Sequence, residues 1–153
     1  MIRTVQTEII TETIKKMCIE ANYSLSSDMV KAMRKAEEKE ESVLGKQILA
    51  QLQDNLEIAA SDMIPICQDT GMAVVFLEVG QDVHFEGGSF EDAVNEGVRR
   101  GYTEGFLRKS VVGDPILREN TKDNTPAVIH TRIVEGDRVK ITEIGRASCR
   151  ERV

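Results

Sequence analysis

The feature that most constrains the fold is a change of apolar pattern along the chain. An apolar residue recurs at every fourth position, at Leu44, Ile48, Leu52 and Leu56. This spacing predicts a helix over about 42–60 with those side chains in the core. Residues 73–79, apolar except for Glu78, instead form a run between Gly71 and Gly80 that is typical of a buried strand. A chain with both patterns combines helices with a sheet.

Two further helices are predicted in the first forty residues. Residues 4–22 carry an apolar face at helical spacing. Ser26 or Ser27 can cap the next helix, and Asp28 suits its positive end. The first part of the chain is therefore predicted to hold three helices.

The second half is predicted to be mixed. A helix is expected from Ser89 to about Gly101, and strands over 127–133 and 138–142. Residues 135–137, Glu-Gly-Asp, are typical of a hairpin turn between those strands. The predicted fold class is α+β: three N-terminal helices followed by a mixed strand and helix part with an antiparallel strand pair.

Composition excludes several classes of protein. The 153 residues carry a net charge of −6 and only six aromatic side chains, none of them Trp, so no basic stacking surface for nucleic acid is expected. No apolar run approaches the roughly 20 residues of a membrane helix, and no signal peptide is evident at the N-terminus. The sequence thus predicts a soluble, cytoplasmic protein.

The three cysteines do not form a recognisable pattern by spacing. Cys18, Cys67 and Cys149 are odd in number and show no CxxC spacing. A disulfide framework and a self-contained zinc site are therefore not expected.

Two polar segments could carry chemistry. In residues 67–70, Cys-Gln-Asp-Thr, a thiol, an amide, a carboxylate and a hydroxyl are consecutive, between a long helix and a buried strand. The alternative is a structural turn in which Asp69 caps local N–H groups and Cys67 is a small apolar residue. The second segment, 107–126, is irregular and contains Arg108 and Arg118, whose planar forks suit carboxylates. Its alternative is a solvated loop.

These two segments resemble motifs of a known enzyme family. Residues 66–71, Ile-Cys-Gln-Asp-Thr-Gly, are similar to the cluster-ligand motif of class I, iron–sulfur-dependent fumarate hydratases and the related L-tartrate dehydratases. Residues 108–110 and 123–127 also look like that family, and the resemblance covers about residues 1–142.

The resemblance implies a [4Fe–4S] cluster held by three cysteines, of which Cys67 is one. It implies that Gln68 and Asp69 face the substrate, with Asp69 in proton transfer, and that Arg108 pairs with a substrate carboxylate. A soft thiolate is the natural ligand of an iron–sulfur cluster. The implied substrate is a small dicarboxylate, and the implied partner is a β subunit or β domain of the same enzyme in an oligomeric parent.

The family pattern is incomplete in this sequence. Two cluster cysteines and a glycine-rich segment of the family are not matched, Cys18 is expected to be a core thiol, and Cys149 does not replace a ligand. Residues 1–142 are therefore expected to be the N-terminal portion of the α domain. Residues 143–153 are expected to be a non-native tail, because they match no family pattern and no apolar period.

The chain is predicted to be a fragment of a hydro-lyase that interconverts fumarate and L-malate. The fragment by itself is expected to be inactive. The first alternative is an L-tartrate dehydratase α subunit. Readings from other classes are a non-catalytic interaction or assembly module and a thiol-dependent binding protein, the latter requiring a depressed thiol pKa at Cys67.

Overall fold

The computed structural model describes residues 2–69 and 71–147. Its elements in chain order are β1 Arg3–Gln6, α1 Thr7–Tyr23, α2 Ser27–Lys39, α3 Val43–Asp62, β2 Met72–Gly80, β3 Val83–Glu86, α4 Phe90–Glu104, β4 Val128–Val134 and β5 Val139–Ala147. The predicted α+β class is confirmed, with three helices preceding the main strands. None of the helices in the described ranges is both long and apolar enough to cross a membrane.

Capping residues set the helix starts close to where the sequence predicts them. The Ser42 hydroxyl accepts a hydrogen bond from the Gly45 amide, and α3 begins at the next residue. Ser89 does the same for α4 through the Asp92 amide. The first helix begins at Thr7 rather than residue 4, because residues 3–6 pair in parallel with β3. These two four-residue strands were not predicted, since four residues carry too short a pattern.

The main sheet has the order β4–β2–β5. The central strand β2 pairs in parallel with β4 and antiparallel with β5. The predicted hairpin between the last two strands is therefore wrong, because β2 lies between them. Residues 135–137 pass around the end of β2 instead: the Gly80 amide donates to Arg138 O at 2.7 Å and the Asp82 amide to Gly136 O at 3.0 Å. This arrangement supplies hydrogen bonds to both edges of the buried strand.

The core lies between this sheet and the helices α1 and α4. Its fully buried side chains come from β2, α1 and α4: Val75, Leu77, Ile14, Cys18, Val94, Val98 and Tyr102. The predicted burial of Cys18 is confirmed. The two helices approach closely because Gly97 and Gly101 face α1. A Cβ at Gly97 would lie 2.7 Å from Thr11 O.

The predicted burial of the α3 stripe is wrong in the described chain. Leu44 is 65% exposed, Ile48 48% and Leu52 47%, and Leu56 is only half-buried. Ala59 is the one buried residue of α3 among those described, and α2, which packs beside it, has none. The four-residue spacing identifies a common face, but it does not reveal whether any element covers that face.

The predicted boundary between residues 142 and 143 falls inside a strand. Glu143 pairs with Val75 and Ile144 with Val74 as β5 continues to Ala147. The remainder of the predicted tail, residues 148–153 with Cys149, lies outside the described residues.

Candidate functional site

The first candidate segment is anchored by its backbone. Residues 64–69, called here the Cys67 loop, follow the end of α3. The Ile66 amide donates to Asn22 O at the end of α1 (2.9 Å), and the Asn55 side-chain amide of α3 donates to Ile66 O (3.0 Å). Cys67, Gln68 and Asp69 come directly after this anchor and are exposed. The loop therefore presents three functional side chains to solvent from a tethered backbone.

Residues 106–125, which contain nearly all of the second candidate segment (107–126), are called here the Arg108 segment. It is hydrogen-bonded to itself. The Thr121 amide donates to Val111 O (3.0 Å) and the Gly113 amide to Glu119 O (2.9 Å), so the chain folds back as a short antiparallel bridge. Because Val111 is buried as well, the alternative of a wholly solvated loop does not describe this segment.

The two segments are in direct contact. A guanidinium nitrogen of Arg108 donates to the backbone oxygen of Gln68 at 3.0 Å. In return, the Gln68 side-chain amide donates to the backbone oxygen of Phe106 at 3.3 Å. Arg108 thus reaches the residue that lies between Cys67 and Asp69. Arg118, the other arginine predicted as a possible carboxylate-binding residue, is exposed and adopts a positive φ of 57°.

Gly71, just after the Cys67 loop, is held by two residues whose roles the sequence did not reveal. The Ser110 hydroxyl accepts from the Gly71 amide and donates to its carbonyl, both at 3.1 Å. The Asn124 side-chain amide also donates to Gly71 O, at 3.2 Å. The oxygen of Asn124 accepts from the amides of Ser110 (2.7 Å) and Val111 (3.1 Å). The available sequence signal was an Asn in a turn-rich stretch, a residue type that tolerates left-handed backbone.

The end of the Arg108 segment is attached to α4. One carboxylate oxygen of Asp123 accepts from the Thr125 amide (3.0 Å), and the other accepts from Arg99 Nε (3.0 Å). Burial acts to raise the pKa of Asp123, but hydrogen bonds from Thr125 and Arg99 outweigh it and hold the pKa at about 2. A charged carboxylate therefore fixes this end of the segment.

One thiol in the site suits a soft metal. Cys67 is a free, exposed cysteine, and a thiolate is the ligand type that holds iron–sulfur clusters. Across residues 2–69 and 71–147, however, no three His, Cys, Asp or Glu side chains come together to hold a metal ion. Cys18 is buried in the core, where burial and the Glu143 carboxylate raise the pKa of its thiol far above the ordinary value. It is therefore a poor ligand.

The two contacting segments carry four kinds of side-chain chemistry. They contain a thiol at Cys67, an amide at Gln68, a carboxylate at Asp69 and a guanidinium at Arg108. The structure brings Gln68 and Arg108 into contact, and it places Cys67 and Asp69 as the sequence neighbours of Gln68.

Comparison with known proteins gives one family. The sequence profile described as "Fumarate hydratase (Fumerase)" matches residues 11–148. A Methanocaldococcus jannaschii protein assigned as an L(+)-tartrate dehydratase subunit alpha is 34% identical over 116 residues, covering 75% of this chain and 40% of that protein. The anaerobic class I fumarate hydratase of Escherichia coli is 39% identical over 97 residues, covering 62% and 18%. Fumarate hydratase 2 of Leishmania major is 30% identical over 135 residues, covering 86% and 24%. The chain thus spans 40% or less of the length of these three relatives.

Proposed function

Because the chain belongs to the fumarate hydratase family, we propose that it is the N-terminal portion of a class I hydro-lyase α subunit or domain that reversibly hydrates fumarate to L-malate. The observation that supports this most is the contact between the Cys67 loop and Arg108. A scaffold without activity does not require a guanidinium, an amide, a carboxylate and a thiol at one surface.

In this proposal Cys67 is one thiolate ligand of a [4Fe–4S] cluster, and two further ligands come from outside the described residues. The donor chemistry fits, since a soft, exposed thiol suits iron. Such a cluster, when bound, supplies a Lewis acid for the hydroxyl and the neighbouring carboxylate of the substrate. Cys67 contributes to holding it, and the remaining chemistry is assigned to its neighbours.

Asp69 is proposed to transfer the proton, and Gln68 and Arg108 to bind substrate. Taking a proton from the carbon beside a carboxylate places negative charge on that carboxylate. A guanidinium aimed at it stabilises the developing charge, an effect worth several kcal/mol in other enzymes. Asp69 is exposed and follows Cys67, the proposed cluster ligand, by two positions.

The proposal extends to partners and location. The substrate is a small dicarboxylate, and a β subunit or β domain completes the enzyme, since two relatives bear the name of a tartrate dehydratase alpha subunit. An oligomeric, cytoplasmic parent that binds neither nucleic acid nor membrane is part of the same proposal. The division into residues 1–142 and a non-native tail at 143–153 stays a prediction, and the gene sequence downstream of Thr142 tests it.

L-Tartrate is the second candidate substrate. The Methanocaldococcus jannaschii relative, assigned to that reaction, matches three quarters of this chain. Fumarate and L-tartrate both present carboxylates to Arg108, so the site residues described here serve either one. Kinetics with both substrates on the complete enzyme decide between them, and turnover of neither favours a non-catalytic assembly module.

The decisive experiment is steady-state kinetics on the complete, anaerobically prepared enzyme with its iron content measured first. Asp69→Asn keeps the shape but removes the proton-transfer group, so kcat should fall by about 10²–10⁴ with iron retained. Cys67→Ser should lose the iron. Asp114→Asn is the matched control, because the Asp114 carboxylate accepts from the amides of Ile116 and Leu117 within its own turn.

Near-normal kcat in Asp69→Asn would make Asp69 a structural residue, and loss of iron in that variant would make it part of the cluster site. The 153-residue chain by itself should not hydrate fumarate after reconstitution. Turnover by the chain that disappears on Cys67→Ser would contradict this expectation.

A further inference from the structure

We infer that Asn124 is a positioning residue that sets the Cys67 loop against Arg108. Its catalytic meaning rests on the proposed function, because only then do the two segments act on one substrate. The contact itself is independent of that function. Asn124 is completely buried, and its hydrogen bonds join the Arg108 segment to Gly71, just after the Cys67 loop, and order the backbone of the Arg108 segment.

The side-chain amide of Asn124 forms hydrogen bonds through both its oxygen and its nitrogen. Its oxygen accepts from two successive backbone amides, those of Ser110 and Val111, and thereby fixes the backbone just after Arg108. Its nitrogen donates to the carbonyl oxygen of Gly71, which lies just after the Cys67 loop. One buried amide therefore connects a point two residues after Arg108 with a point two residues after Asp69.

The backbone of Asn124 suits this task. Its φ is 63°, in the left-handed region, where Asn is among the few side chains that are readily accommodated. In this conformation the short side chain points back to the amides of residues 110 and 111 and to Gly71. A longer or β-branched side chain at this φ is strained and supplies no matching donor and acceptor pair.

Ser110 completes the arrangement from the other side. Its hydroxyl accepts from the Gly71 amide and donates to the Gly71 carbonyl. Both backbone polar groups of Gly71 are therefore bonded to the Arg108 segment. The orientation of this glycine relative to Arg108 is fixed by Ser110 and Asn124 together.

The substitution Asn124→Asp isolates the contact with the loop. It keeps the side-chain size and the two acceptor contacts, but it replaces the donor to Gly71 O with a second acceptor. Asn120→Asp is the matched control in the same segment. The Asn120 amide donates to Lys109 O (3.0 Å) and its oxygen accepts from the Lys122 amide (2.6 Å), so both bonds stay within the Arg108 segment.

Amide hydrogen exchange in the 153-residue chain, followed by NMR, tests the inference. In Asn124→Asp the Gly71 amide should exchange about tenfold faster or more relative to Val75 in β2, which reports global opening. Asn120→Asp should stay within about twofold of the unmodified chain. A merely structural role would speed exchange at Val75 and Gly71 equally, and that result would overturn the inference.

Ser110→Ala serves as the second variant if Asn124→Asp does not fold. It removes the acceptor for the Gly71 amide and should speed its exchange without changing that of Val75. Unchanged Gly71 exchange in either folded variant would also overturn the inference.

Titration with L-malate separates this inference from the proposed function. In the complete, iron-loaded enzyme, L-malate should bind more weakly in Asn124→Asp and with unchanged affinity in Asn120→Asp. If L-malate does not bind the complete enzyme while Gly71 exchange in the 153-residue chain responds as expected, the positional role stands and the dicarboxylate assignment fails.

Discussion

At the scale of single residues, the most unusual group in the described chain is the carboxylate of Glu143. One of its oxygens accepts a weak hydrogen bond from the Cys18 thiol at 3.7 Å. The other is buried and has no hydrogen-bond partner among the described residues. Burial raises the pKa of Glu143 to about 7, although the bond from Cys18 acts to lower it. A charged Glu143 is therefore costly near neutral pH.

The sign of the pH effect follows from this shift. The folded chain holds the Glu143 proton up to about pH 7, whereas the unfolded chain releases it near 4.5. Unfolding free energy should therefore fall as pH rises from about 4.5 to 7 and level off above. Glu143→Gln should stabilise the chain by about 1–3 kcal/mol at pH 8.5 and have little effect at pH 4.5.

Urea unfolding at the two pH values measures this effect, with Glu135→Gln as the control. Glu135 is an exposed glutamate in the turn between β4 and β5. An equal gain from both substitutions, or a Glu143→Gln gain that does not depend on pH, would contradict the role assigned to burial.

Sequence reasoning worked unevenly at this scale. It noted Cys67, Gln68, Asp69 and Arg108 in two polar segments and took their site roles from the family resemblance, and the structure places Gln68 against Arg108. It did not identify the roles of Ser110, Asn124 or Glu143. Their importance depends on which backbone groups and which core they meet, and residue type alone does not encode this.

At the scale of elements, helix periods and capping residues predicted α1 to α4 to within a few residues. Pairing of strands was the weaker part. The turn at 135–137 has hairpin composition, but β4 and β5 each pair with β2 and not with one another. The buried backbone of β2 needs hydrogen-bond partners on both edges. Local turn signals could not reveal a partner more than fifty residues away in sequence.

The glycines between α1 and α4 allow a test of element packing. In an exposed helix, Gly→Ala stabilises by about 1 kcal/mol. At Gly97 the added Cβ would lie 2.7 Å from Thr11 O and 2.9 Å from Ile14 Cβ, so the helices must separate. Gly97→Ala should therefore destabilise the chain by about 1–3 kcal/mol.

Thermal or urea unfolding measures the Gly97→Ala effect. Gly45→Ala in α3 is the control, because the neighbour its Cβ would meet is the flexible end of the Glu40 side chain. Equal stability changes at the two positions would show that helix propensity, and not close packing, decides the sign.

The exposed stripe on α3 gives the second test at this scale. Leu52 is 47% exposed, so Leu52→Ala should cost below about 1 kcal/mol in this chain. Leu77→Ala in β2 is the matched buried control and should cost about 2–5 kcal/mol. Urea unfolding compares the two, and a loss of more than about 2 kcal/mol for Leu52→Ala would mean that its side chain is covered in solution.

At the scale of the whole molecule, stability depends on contacts between distant parts of the sequence. The central strand β2 is paired on one side with β4 and on the other with β5, and its inner face is covered by α1 and α4. No half of the described chain contains all of these parts. The fold class could be predicted from local patterns, but this mutual dependence could not.

Shortening the chain tests that dependence. A chain ending at residue 138 lacks β5, leaves one edge of β2 unpaired and should lose cooperative unfolding. A chain ending at residue 147 keeps every described strand and should unfold cooperatively. Circular dichroism during urea titration distinguishes them, and a cooperative transition in the shorter chain would show that β5 is dispensable.

The packing of α1 against α4 also has a consequence for how the protein is made. Ile10, Ile14 and Cys18 leave the ribosome before Val94 and Val98, which share their core and are synthesised about eighty residues later. At a translation rate of about 5–20 residues per second, the apolar face of α1 stays uncovered for roughly 4–16 s until α4 has been synthesised. During that interval the nascent chain exposes the apolar face of α1. The yield of folded protein in vivo should therefore depend on chaperones that bind such surfaces during translation.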